Sequence, residues 1–129
     1  GPSAAFRAAQ SGSATVLATT TTLATVTLPE AGDYVVSAQL FAFPGGAVVD
    51  GRDQLLCGIV GADDSVIAAL PTQVAAPAEA TPYTVVGAGP LPAGATSLYC
   101  TAFAAGGLDP IKAAGGVLTL TRVATLNGS

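Results

Sequence analysis

The chain has 129 residues, half of them apolar (50%) and only 9% charged, with 4 basic and 8 acidic side chains. That length suits one domain, the apolar content excludes intrinsic disorder, and a net charge of −4 with a pI near 4.2 excludes nucleic acid as a partner. The absence of histidine removes the usual general base and the commonest metal ligand, while 16 Gly and 9 Pro among abundant Val, Thr and Ala speak against a helical bundle.

Gly1-Pro2-Ser3 reads either as the scar of a cleaved tag or as the last triplet of a Gly-X-Y collagen tract. With no initiating Met and no signal peptide, the chain reads as a processed or cloned fragment. Apolar and polar residues alternate over Leu23 to Leu28, where Ala24, Val26 and Leu28 define one strand face and Thr25 and Thr27 the other. Pro29 to Asp33 forms a turn. Tyr34 to Phe43 is the strongest strand. Tyr34, Val36, Ala38, Leu40 and Ala42 line one face, and Val35, Phe41 and Phe43 leave the other largely apolar, so the strand is expected to be central and covered on both sides.

Pro44 to Asp53 is a Gly-rich charged loop. Strands follow at Gln54 to Val60 and Ser65 to Leu70, joined by the Gly61-Ala62-Asp63-Asp64 turn. Pro71 to Pro82 reads as a long connection or a poorly paired edge. A short strand at Tyr83 to Val86, a loop through Pro90, Pro92 and Gly94, and strands at Thr96 to Phe103 and Gly115 to Leu126 complete the set. The charge-free run from Ala80 to Leu108 is broken by Pro82, Pro90 and Pro92, so no transmembrane helix and no membrane insertion are expected. Short strands separated by regular turn signals predict a single all-β domain over 1–129, an antiparallel β-sandwich of jelly-roll type with seven to ten strands.

Cys57 and Cys100 both fall mid-strand. A tetrahedral zinc site needs about four ligands, which leaves one disulfide or two buried thiols. A low-charge, Thr-rich chain has an extracellular character, and that compartment favours the bond. Closing the intervening loop would stabilise the fold by about 4 kcal/mol.

Two stretches carry a family resemblance. Ala5-Phe6-Arg7-Ala8 and Pro29-Glu30-Ala31-Gly32-Asp33-Tyr34 resemble the Ala-Phe-x-Ala opening and the Pro-x-x-Gly-x-Tyr strand entry of the tumour-necrosis-factor/complement-head jelly roll. The closing run GVLTLTRVATLNG, from Gly116 to Gly128, resembles the last strand of actinobacterial secreted domains that follow collagen-like tracts, a group in which a mid-strand Cys pair recurs. The resemblance implies a compact homotrimer capping a stalk, with the chain start near the three-fold axis. Asp63 to Gly94 lies outside it.

Candidate chemistry is sparse. Asp50, Arg52 and Asp53 share one loop that suits either a hard cation such as calcium or a solvated Asp–Arg pair, and the EF-hand spacing is missing. Asp63 and Asp64 read as turn formers, and no carboxylate pair is marked as a glycosidase dyad. No enzyme activity and no cofactor are expected. Tyr83, directly after Pro82, is the best candidate for an exposed ring that meets a ligand, whereas Tyr34 and Tyr99 sit on strands where packing is expected. Two readings result: an extracellular trimerising head of a stalked or collagen-like surface protein with an adhesive role, and a monomeric sandwich that binds a glycan or a surface receptor.

Overall fold

The computed structural model describes residues 5–16, 20–44, 54–73, 81–103 and 111–123. Strands in chain order are β1 (Ala5–Ala9), β2 (Ser13–Val16), β3 (Thr21–Leu28), β4 (Gly32–Pro44), β5 (Gln54–Val60), β6 (Val66–Gln73), β7 (Thr81–Leu91), β8 (Gly94–Phe103) and β9 (Ile111–Val123). They form two antiparallel sheets packed face to face. The first runs β1–β9–β4–β7, with β2 also paired to β9 beyond β1; the second runs β3–β8–β5–β6. Consecutive strands therefore pass repeatedly between the sheets, the arrangement of a jelly roll.

The period-two pattern sets which side chains enter the interior. From the first sheet, β4 turns Tyr34, Val36, Ala38, Leu40 and Ala42 inward and β9 contributes Leu118 and Leu120. From the second, β3 contributes Val26 and Leu28, β5 gives Leu55 and Ile59, and β8 gives Leu98. Phe6 packs against Tyr34 with ring centroids 6.5 Å apart, which ties β1 to the core. The core is mostly aliphatic, as the scarcity of aromatic residues requires.

Three strand expectations are corrected. β4 is central, between β9 and β7, but only one of its faces is covered within the chain: Val35 and Phe41 on the other are 45% and 51% exposed. A sheet in a two-layer sandwich has only one inner face, so apolar character on both faces of a strand does not by itself cover the second. Strand β7 runs over Thr81–Leu91 rather than ending at Val86. It pairs only with β4, and Pro82 and Pro90 share one parity, where a missing N–H falls on the free edge. By the same logic β6 continues through Pro71 to Gln73 along the edge of the second sheet, and residues 74–80 lie outside the described residues.

A backbone irregularity separates β1 from β2. Pairing of β4 with β9 shifts between Gln39 and Phe41, and Gly115 sits there with φ +68°, a conformation suited to glycine in a bulge. Across the same gap, Gln10 substitutes for strand pairing. Its Nε2 donates to the Ala113 carbonyl at 2.8 Å, and its Oε1 accepts from the Gly116 N–H at 3.0 Å.

Candidate functional site

The sandwich presents two outer faces of different chemistry. On the first sheet the register aligns Ala5, Thr121, Val35 and Ala88 in one row, Arg7, Thr119, Ser37 and Val86 in the next, and Ala9, Val117, Gln39 and Thr84 in a third. Phe41 and Pro82 continue the face beyond them. Val86 is 69% exposed. Among the described residues the charges on this face lie at its margins: Asp33 at one end, Lys112 near the other, and Arg7 on the flanking strand β1. A neutral, partly apolar centre with a charged rim has the layout of a protein–protein interface.

On the second sheet the outer face carries Thr22, Thr25 and Thr27 from β3, Ser97, Tyr99 and Thr101 from β8, and Leu56, Gly58 and Val60 from β5. The Thr25 and Ser97 hydroxyls lie 2.9 Å apart, and those of Thr20 and Thr101 3.2 Å apart. This face has no charged side chain among the described residues.

At the end of the sandwich where β6 meets β7, an open groove of about 770 Å³ is lined by Asp33, Asp63, Ser65, Val66, Ile67 and Arg122, among others. Arg122 Nη1 donates to Glu30 Oε2 at 2.5 Å, an exposed ion pair that adds little stability. Asp63 accepts from the Ser65 hydroxyl at 2.6 Å and from its N–H at 3.2 Å, and these bonds hold its carboxyl below the usual carboxylate range. Asp64 takes φ 65° in the same turn. Both acids thus act as turn formers, and among the described residues no group of three or more potential metal ligands occurs.

Cys57 and Cys100 face each other across β5 and β8 and form a disulfide, fully buried between the sheets. The expectation of an exposed Tyr83 ring is corrected: Tyr83 is 3% exposed. Its hydroxyl accepts from the Cys57 N–H at 3.2 Å and donates to the Leu55 carbonyl at 3.1 Å, so it links strand β7 of one sheet to β5 of the other. Position 83 alternates inward with Val85, and a phenol can enter an apolar core when its hydroxyl finds backbone partners there. Asp50, Arg52 and Asp53 lie outside the described residues. Among the three tyrosines, the ring that reaches a surface is that of Tyr99. Strand alternation placed it opposite the buried Leu98 and Cys100, and this parity was the available signal.

No family model and no curated protein matches the chain. Solved structures do. The VP2 subviral particle of infectious bursal disease virus aligns with a TM-score of 0.63 at 11% identity, covering 93% of this chain and 32% of that one. The Gt strain of the same virus gives 0.63 at 14% identity with the same coverage. The chain thus spans about a third of the length of these viral proteins. The Eiger TNF of S. frugiperda aligns at 0.54 and 15% identity over 95% of this chain and 94% of that one. At these identities the likeness concerns the fold. The chain is a jelly-roll β-sandwich whose fold is similar to that of a tumour-necrosis-factor head.

Proposed function

We propose that this domain is a non-enzymatic, extracellular head that assembles as a homotrimer at the end of a stalked or collagen-like surface protein and serves adhesion. The observation that carries the reading is the outer face of the β1–β9–β4–β7 sheet, where Val35, Phe41 and Val86 stand exposed and charge is confined to the rim. With 4 basic and 8 acidic side chains in 129 residues, the chain has little charge with which to solvate its surface, and copies of itself are the occupants that chemistry favours. A closed ring of three covers such a face without open-ended growth. The disulfide supports an oxidising compartment, and among the described residues no helix is long and apolar enough to cross a membrane.

Light scattering on the purified chain at micromolar concentration tests the assembly. A mass three times 12.4 kDa is expected. A stable monomer across that range rejects the trimer and leaves the second reading, a monomeric module for a glycan or a surface receptor. The open groove beside Val66 and Arg122 is the observation that favours that alternative.

A further inference from the structure

We infer that the outer face of the β3–β8–β5–β6 sheet is a carbohydrate-binding platform, with Tyr99 as the ring on which a neutral sugar stacks. Tyr99 and Gly58 are register partners on adjacent strands. A Cβ placed on Gly58 would lie 2.7 Å from the Tyr99 hydroxyl oxygen and 2.9 Å from Cζ. The phenol end of the ring therefore lies over β5, against the backbone that glycine leaves bare and close to the Ala68 carbonyl of β6, and part of the side chain stays accessible to solvent. Tyr99 is half-buried, and its hydroxyl has no hydrogen-bond partner among the described residues.

The surroundings select the ligand class. Thr22 stands beside Tyr99 on one side, and the Thr25–Ser97 and Thr20–Thr101 hydroxyl pairs lie in the neighbouring rows. Hydroxyls donate and accept, so this surface matches a ligand that is itself a polyol. The π face carries negative partial charge and attracts the slightly positive C–H bonds on the apolar side of a sugar ring. A charged ligand finds no counter-charge here, and a purely apolar one leaves the hydroxyls without partners. This site goes beyond the trimer reading and does not depend on it, because the proposed self-association covers the opposite sheet. Three copies in one head would add avidity.

Affinity electrophoresis of the full chain in gels containing soluble glucan, mannan, galactan or xylan tests the site, with pull-down on cellulose and chitin and with heparin as the charged control. Retention by at least one neutral polysaccharide is expected, weakened roughly tenfold by Tyr99→Ala. Tyr99→Leu keeps apolar cover over Gly58 without an aromatic face and should weaken retention comparably, which separates loss of stacking from loss of folding. The inference is overturned by no retention on any neutral polymer, by retention on heparin alone, or by retention that Tyr99→Leu leaves unchanged. It is likewise overturned if Tyr99→Leu changes the oligomeric mass, which would make this face a contact between copies.

Discussion

Tyr83 shows how one hydroxyl links the two layers. Because it serves both the Leu55 carbonyl and the Cys57 N–H in the interior, Tyr83→Phe removes two buried hydrogen bonds while keeping the ring. The expected cost is about 1–3 kcal/mol by chemical denaturation. The adjacent Cys57–Cys100 bond closes a loop with a sequence separation of 43. Intact mass should be two hydrogens below that of the reduced chain, and reduction should remove about 4 kcal/mol of stability. Thr96 presents the opposite case, with its Oγ1 buried and without a hydrogen-bond partner among the described residues. Thr96→Val keeps the shape and removes the unmet polar atom, so the variant should be at least as stable as the parent. Asp63 contributes a pH dependence of known sign. The Ser65 hydroxyl and N–H hold its folded-state pKa below the ordinary aspartate value, so its share of stability is present above about pH 4 and is lost as pH falls through the lower folded value. Asp63→Asn should flatten that acid limb of a melting-temperature profile.

At the scale of elements, the edges carry the information that composition concealed. Strand β6 lies close to β7 because Gly87 has no side chain: a Cβ there would meet the Ala68 Cβ at 2.8 Å and the Ile67 carbonyl oxygen at 2.9 Å. Gly87→Ala should therefore push the two edge strands apart and cost about 1–3 kcal/mol, read from the unfolding midpoint. Interior strands were legible because apolar residues recur at every second position, as in Tyr34, Val36, Ala38, Leu40 and Ala42, over a run without Gly or Pro. The true extents of β6 and β7 were not, because Pro71, Pro82 and Pro90 are breakers in a central strand and harmless on a free edge. A strand's position in the sheet is a tertiary property. Gln10 belongs to the same class: its role beside the Gly115 bulge follows from residues more than a hundred positions away.

For the whole molecule, the unequal outer faces lead to a test of assembly. On the trimer reading, Phe41→Glu or Val86→Glu places a charge in the contact and should convert the 37-kDa-class species, about three chains of 12.4 kDa, into monomers. Both side chains are exposed within a single chain, so melting of the resulting monomer should remain cooperative. The sequence by itself determined the all-β class, the inward residues of the central strands and the pairing candidates Cys57 and Cys100, because alternation and turn chemistry are local. Only the tertiary structure decided that Tyr83 points inward while Tyr99 stays partly accessible, that the second face of β4 is uncovered, and that Gly58 makes room for a ring. Each of these depends on which strand lies alongside and which sheet lies across, and contacts so distant along the chain leave no pattern in a single sequence.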